Sequence, residues 1–166
     1  MNATVADVAA YFLAESGTRM TTMKLQKLCY YGQAWSLVWD NKNLFNAPIY
    51  AWANGPVIPE LFKLHKGKYY VVPGAFDKYG ADLTKLDADQ AETCDAILDS
   101  YGKFTGVQLS HLTHREAPWI NARGNRTYKD KGGDRITPEA LVNYYGDDSG
   151  ENLGLVEDLE IPNWVI

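Results

Sequence analysis

The chain has 166 residues and a mass of 18.6 kDa, which fits one domain with one substantial hydrophobic core. Its formal net charge is −5, which argues against broad non-specific binding to nucleic acid phosphates. No apolar run approaches the ~18 residues of a membrane-spanning helix, and the N-terminal stretch lacks the early positive charges of a secretory signal. We therefore expect a cytoplasmic protein with no membrane segment.

The first two predicted helices lie before residue 41. Thr4 and Asp7 resemble a capping box, and Gly17 supplies a C-terminal stop for the first helix. Thr22 is predicted to cap a second helix over residues 23–40. That helix is apolar on two faces, which is typical of a helix buried between neighbours, so we expect it to be the central one.

After the second helix the hydrophobic period changes. Residues 49–52 are β-branched and aromatic and predict a short strand or extended segment. Gly55 and Pro56 then predict a turn, and Pro59 fits the first turn of a third helix. Residues 66–81 are rich in Gly, Tyr and Lys, which indicates a loop.

The second half of the chain contains further helix signals. Asp87 and Gln90 are predicted to cap a helix that ends at Gly102, and Thr137 with Pro138 opens a last short helix. Cys29 and Cys94 each lie within a helical pattern. We expect two small buried thiols in a reducing compartment rather than a disulfide.

The elements together predict a mainly α fold. We expect a single compact helical domain of about five or six helices, with a short extended segment or β-hairpin near residues 48–58. Residues 1–146 are assigned to this domain and residues 147–166 to an acidic, hydrophobic tail. The tail has six acids and no base. Its apolar residues either pack on the domain or dock on a partner; they are Leu153, Leu155, Val156, Leu159, Ile161 and Trp164.

Charge is unevenly distributed along the chain. Residues 101–136 hold seven Lys or Arg and three acids, a local balance of +4 in a protein of opposite overall sign. This asymmetry could steer a charged partner, or the charges could pair internally.

The stretch LSHLTHREAPWINAR, residues 109–123, holds two of the three histidines. A metal-dependent hydrolase could use His111, His114 and Glu116, but no HExxH or CxxC pairing accompanies them. The chain has no GxSxG motif, phosphate-binding glycine loop or dinucleotide fingerprint. We therefore predict no catalytic residue, no metal and no cofactor, with the hydrolase as the alternative.

The same stretch is better explained as a helix corner. Ser110 is predicted to cap a helix that follows it, and Pro118 to end that helix and begin another. Glu116 then lies at the positive end of the second helix. Trp119 is placed to bury its ring, with Arg123 one turn later on the same face.

Three stretches form a specific combination: MTTMKLQKLCYYGQAW at 20–35, PIYAWANGPVIPELF at 48–62 and LSHLTHREAPWINAR at 109–123. Together they resemble the Panacea domain, also called the SocA-like or GepA-like domain, over roughly residues 4–145. The resemblance implies an antitoxin of a bacterial, phage or prophage toxin–antitoxin system. Such a protein neutralises a cognate protein toxin, encoded by an adjacent gene, by direct protein–protein binding and is not an enzyme.

The motifs and the helix corner supply the candidate family-motif and partner-binding residues. The corner is further expected to present Arg115 and Arg123 to a partner. The full set is Lys24, Tyr30, Tyr31, Trp35, Trp52, Gly55, Pro56, His114, Arg115, Glu116, Trp119 and Arg123.

Other functions stay open at this point. The protein could be an adaptor that delivers a bound partner to a protease with the tail as handle, or a phage-encoded decoy against a host toxin. Nucleic-acid binding is not expected, because the chain shows no basic recognition helix or arm.

Overall fold

Residues 2–147 are described by the computed structural model, and they are mainly helical with two small antiparallel sheets. The α-helices are α1 Val5–Ser16, α2 Thr22–Asp40, α3 Pro59–His65, α4 Ala88–Tyr101, α5 Gly106–Thr113, α6 Ala117–Arg123 and α7 Pro138–Tyr145. The strands are β1 Met20–Thr21, β2 Ile49–Trp52, β3 Gly55–Val57, β4 Tyr70–Val71 and β5 Arg135–Ile136. The mainly α prediction is confirmed, with seven helices in this range instead of the expected five or six. The apolar tail residues beyond 147 lie outside the described residues.

Helix α2 is the centre of the fold, as its two apolar faces predicted. It packs against α1, α4, α5 and α7, and every residue from Leu25 to Ala34 is buried. The predicted cap was wrong by one residue. Thr21 is the N-cap, because its backbone is extended and its hydroxyl accepts from Lys24 N at 3.1 Å, while Thr22 is already helical.

The caps of α1 and α4 are confirmed. The Thr4 hydroxyl accepts from Asp7 N, and the Asp7 carboxylate accepts from Thr4 N at 2.8 Å. Asp87 and Gln90 make the same reciprocal pair at the start of α4. These pairs satisfy donors that the first turn of a helix leaves without an intrahelical partner.

A three-stranded sheet in the order β3-β2-β5 covers one end of α2. The predicted strand at 49–52 is confirmed, and β2 and β3 form an antiparallel hairpin with Trp52 opposite Gly55. The predicted turn was misplaced: the chain turns at residues 53–54, and Gly55 and Pro56 already belong to β3. Strand β5 pairs with the other edge of β2, with Ile49 opposite Ile136.

The prediction of a plain loop at 66–81 was wrong in part. Strand β4 pairs with β1 across about fifty intervening residues, placing Val71 opposite Met20. A short 3-10 helix follows at Asp77–Tyr79. Val71 and Phe76 are buried, so this segment anchors itself to the core through apolar side chains.

The two cysteines lie in the core, Cys29 on α2 and Cys94 on α4. Both are buried and neither forms a disulfide, which confirms the prediction of two buried thiols. Burial raises the pKa of both thiols above the usual value.

Candidate functional site

The three motif stretches, distant in sequence, meet on α2 and are joined by hydrogen bonds. Ser110 Oγ on α5 donates to the carbonyl of Asn54 in the hairpin turn at 2.5 Å. Trp119 Nε1 on α6 donates to the Trp52 carbonyl at 2.9 Å. Gln26 Oε1 on α2 accepts a hydrogen bond from the backbone N–H of Ile58, just after β3, at 2.8 Å. Helix, hairpin and corner therefore form one connected unit.

The corner itself differs from the prediction at its first helix. Helix α5 begins at Gly106, and its cap is Thr105, whose hydroxyl accepts from Gln108 N at 3.1 Å. Ser110 is therefore mid-helix instead of capping. The predicted second helix is confirmed, since α6 has Glu116 as its N-cap residue and Pro118 in its first turn.

Glu116 is the centre of a buried cluster of tyrosines. Its Oε1 accepts from Tyr31 OH at 2.7 Å and from Tyr145 OH at 2.8 Å. The hydroxyl of Tyr30 lies 3.1 Å from that of Tyr145, which extends the network. Burial raises the pKa of the Glu116 carboxyl to about 7, although both tyrosine hydrogen bonds favour the ionised form. The carboxyl is thus a structural acceptor that titrates near neutral pH.

An aromatic column leads from this cluster to the surface. Tyr31 stacks on Tyr101 with ring centroids 4.1 Å apart, and Trp35 Nε1 donates to Tyr101 OH at 3.0 Å. Trp35 stacks in turn on Trp39, whose side chain is 52% exposed. Part of the aromatic excess of the composition therefore lies in this column, which runs from the buried Tyr31 and Tyr101 to the exposed Trp39.

His114 lies at the corner with its ring stacked on Trp119, the centroids 4.0 Å apart. Burial, aided by the charges of Lys27, His111 and Arg123, lowers the pKa of His114 to about 4. The ring is therefore neutral at pH 7. Its Nε2 is buried and has no hydrogen-bond partner within residues 2–147.

Arg123 lies inside the protein, 4% exposed, where it holds a loop against the hairpin. Its guanidinium donates to the Ala51 carbonyl of β2 at 3.0 Å and to the Thr127 and Asp130 carbonyls at 2.5 Å each. A fourth bond goes to the Gly132 carbonyl. The expectation that Arg123 is presented to a partner does not fit this burial.

Lys27 is a second buried cation, on α2 beside the hairpin turn. Gly55 lies against it with φ +115°, and a Cβ built on Gly55 would come within 2.6 Å of Lys27 Cε. Lys27 is among the residues that line a pocket of about 310 Å³ between α2, the hairpin turn and α3. Burial lowers the pKa of Lys27 to about 7.

Replacing Gly55 with alanine is expected to lower the free energy of unfolding by about 2–3 kcal/mol, from backbone strain at positive φ plus crowding. Urea denaturation measures the loss. Gly67→Ala is the matched control, because Gly67 also has positive φ (+84°) but has nothing within 4 Å of a built Cβ. An equal loss in both variants would show that Lys27 and Thr113 do not crowd the added methyl group.

Most of the sequence candidates are internal. Those that are buried are Tyr30, Tyr31, Gly55, Pro56, Glu116 and Arg123. Those that are half-buried are Lys24, Trp35, Trp52, His114 and Trp119, while Arg115 is exposed.

Three side chains of these clusters were not predicted from the sequence: Lys27, Tyr145 and His65, whose Nε2 lies 3.0 Å from Gln26 Nε2. For Lys27 a signal existed, since it precedes Tyr31 by one helical turn and so extends an apolar face of α2. For Tyr145 the partner Glu116 is 29 residues away, and no local pattern reports that contact.

The side chains of Glu116 and His114, which the hydrolase alternative requires to act together, do not converge on one point. The carboxyl of Glu116 faces the tyrosines, while the ring of His114 faces Trp119. In the described range no three His, Cys, Asp or Glu side chains are grouped so as to hold a metal ion.

No helix of residues 2–147 is both long and apolar enough to cross a bilayer.

Comparison with protein families matches residues 25–120 to the family described as Antitoxin SocA-like, Panacea domain. The match covers more than half of the chain and all three motif stretches over most of their length. Neither the curated proteins nor the solved structures give a match. The residues that join helix, hairpin and corner are thus those that the family match spans, and the chain belongs to the SocA-like Panacea domain antitoxin family.

Proposed function

We propose that this protein neutralises a cognate protein toxin, encoded by an adjacent gene, by binding it directly and without catalysing a reaction. The family match over residues 25–120 carries the proposal. In support, the charged and polar motif residues Lys24 and Glu116 bond within the fold, Lys24 Nζ to the Gly102 carbonyl at 2.6 Å. These residues serve the scaffold, which leaves recognition to the surface.

The surface we propose for the toxin is an aromatic edge made of Arg19, Tyr69, Tyr70 and Val72. Tyr69 is 68% exposed and contacts Tyr70 edge-on, with centroids 4.7 Å apart. The Arg19 guanidinium lies 4.2 Å from the centre of the Tyr70 ring. Tyrosine and arginine are over-represented among residues that dominate binding energy, so this edge offers suitable anchors.

The net charge of the chain, −5, favours the approach at long range of a basic partner, such as a toxin with a basic cleft for nucleotides or RNA. The aromatic edge itself carries the positive charge of Arg19, so the contacts we propose there are those of Tyr69, Tyr70 and Val72. We place the complex in the cytoplasm. We also assign residues 1–146 to the antitoxin domain and residues 147–166 to a tail that adds acidic and apolar contacts.

Co-expression with the product of the neighbouring gene tests the function. We expect growth to be rescued and a complex to co-purify. Changing both Tyr69 and Val72 to alanine should weaken the complex by about 30-fold or more while the fold is kept. Tyr128→Ala is the matched control, as Tyr128 is a 74% exposed tyrosine outside the edge.

Two outcomes count against the proposal in different ways. A toxic neighbour that is neither rescued nor co-purified contradicts the antitoxin function. Rescue and binding that survive the double change, but are lost in Tyr128→Ala, move the contact from the aromatic edge to the loop before β5.

A further inference from the structure

The pocket beside Lys27 is lined by aromatic and polar side chains. Trp52 from the hairpin and Phe62 from α3 line it, with ring centroids 5.2 Å apart. Its volume of about 310 Å³ is at the small end of the range of ligand pockets. The space fits one bulky side chain or a small aromatic molecule.

Lys27 is among the residues that line the pocket and is 2% exposed. Within residues 2–147 no carboxylate forms an ion pair with its ammonium. Neighbouring Gln26 and His65 are occupied with each other, with Gln26 Nε2 3.0 Å from His65 Nε2. Gln26 Oε1 already accepts from the backbone N–H of Ile58. The amide nitrogen of Gln26 is therefore the donor in the bond with His65, and His65 Nε2 is the acceptor.

The charges around the pocket have one sign. Lys131 lines its mouth, and no Asp or Glu is among the residues that line it in the described part of the chain. A chain with a net charge of −5 thus has a positive, acid-free pocket. An anion would find a favourable potential there.

A buried lysine without a counter-ion is unfavourable, and a methionine would fill the same volume at lower cost. The backbone of Gly55 also lies against the Lys27 side chain, since a Cβ built on Gly55 would come within 2.6 Å of Lys27 Cε. This contact limits the conformations that the lysine can adopt. A buried charge in a cleft that lacks an internal partner is a candidate for a functional site.

We propose that this pocket binds a carboxylate that is attached to an aromatic or bulky apolar group. The carboxylate pairs with the Lys27 ammonium, and the apolar body packs on Trp52 and Phe62. Either a free aromatic acid or the terminal carboxylate of a peptide has this chemistry. None of the residues that line this pocket belongs to the aromatic edge, and the proposal does not depend on the toxin-binding function.

Proton uptake gives the site a distinctive signature. Lys27 faces His65 from α3, His114 from the corner and Lys131 from the loop before β5. Burial holds the pKa of both histidines below the usual value, so both are neutral at pH 8. The pKa of Lys27 is about 7 in the free protein, and a bound carboxylate raises it. Binding at pH 8 therefore takes up about one proton, and affinity falls as the pH rises further.

Calorimetric titration of the full chain tests the proposal with two probe pairs. The first pair is phenylacetate and phenylacetamide; the second is acetyl-Ala-Phe and its C-terminal amide. We expect each acid to bind at least about tenfold more tightly than its amide, since charge-assisted bonds are worth that much. At pH 8 the binding heat of the acid should depend on the ionisation enthalpy of the buffer, as proton uptake requires.

Lys27→Met should weaken binding of the acid by about tenfold or more and remove the buffer dependence. The matched control is Lys63→Met, because Lys63 is an exposed lysine on α3 that does not line the pocket. Lys63→Met should change neither the affinity for the acid nor the buffer dependence of its binding heat. A tighter dipeptide acid assigns the source to a peptide end, and tighter phenylacetate assigns it to a free acid.

The proposal is overturned if neither acid binds the wild-type protein at millimolar concentration. It is also overturned if acids and amides bind equally, or if Lys27→Met and Lys63→Met behave alike. The comparison of acid with amide uses only the wild-type protein, so it decides the question even if a variant fails to fold.

Discussion

Replacing Glu116 with alanine is expected to lower the free energy of unfolding by about 3–4 kcal/mol at pH 5.5, a large share of the stability of a domain this size. The Tyr31 and Tyr145 hydroxyls would lose their common acceptor inside the core, and an unsatisfied buried hydroxyl costs about 1–3 kcal/mol. The missing side-chain atoms also leave a cavity. Urea denaturation at fixed pH gives the loss.

Glu116→Gln is the control, because an amide oxygen still accepts from both tyrosines without ever carrying charge. The pKa of Glu116 is raised to about 7 in the folded state, so its contribution to stability is present at low pH and is lost as the pH rises through that value. Relative to Glu116→Gln, wild type should lose about 2 kcal/mol between pH 5.5 and pH 8. A constant difference across that range would mean that the carboxyl does not change its protonation there.

Arg123→Ala is expected to lower the free energy of unfolding by about 3–5 kcal/mol, because one guanidinium joins the Ala51 carbonyl of β2 to three carbonyls of the loop after α6. The Asp130 and Gly132 carbonyls would lose the guanidinium as donor, whereas the Thr127 carbonyl would keep its bond from Asp130 N at 3.0 Å. Amide exchange should locate the damage, since Ala51 N and Ala53 N donate to the Asp134 and Lys131 carbonyls of the same loop. Their exchange should accelerate more than that of amides in α1.

Arg123→Lys should recover only part of this loss. An ammonium can approach one or two carbonyls, whereas the planar guanidinium has five donors in a fixed fork. If alanine at 123 costs less than about 1 kcal/mol, the loop is held by its own backbone pairing with β2 instead.

The parts of the fold that could be predicted are those set by neighbouring residues. The Thr4–Asp7 and Asp87–Gln90 capping boxes each depend on two residues three positions apart, and strand β2 on a short β-branched and aromatic run. The β1–β4 pair could not be predicted, because two-residue strands have no period and their partner is about fifty residues away. Ser110 was wrongly predicted as the N-cap of α5, because a capping box formed by Thr105 and Gln108 starts this helix earlier.

The candidate site was predicted less well than the fold, for a related reason. Glu116, Arg123 and Lys27 are charged, and charged side chains are expected on the surface unless distant groups surround them. Their burial depends on Tyr145, on loop carbonyls and on the hairpin backbone. None of these partners can be identified from the residues next to each charge.

The depth of the two sulfur atoms shields them from reagents in the surrounding solution. Thiolates, and not thiols, are the species that exchange with disulfides or react with electrophiles. Cys29 and Cys94 are buried with a raised pKa, so the folded protein holds both in the unreactive thiol form. Covalent crosslinking through cysteine thus requires the helices α2 and α4 to separate first.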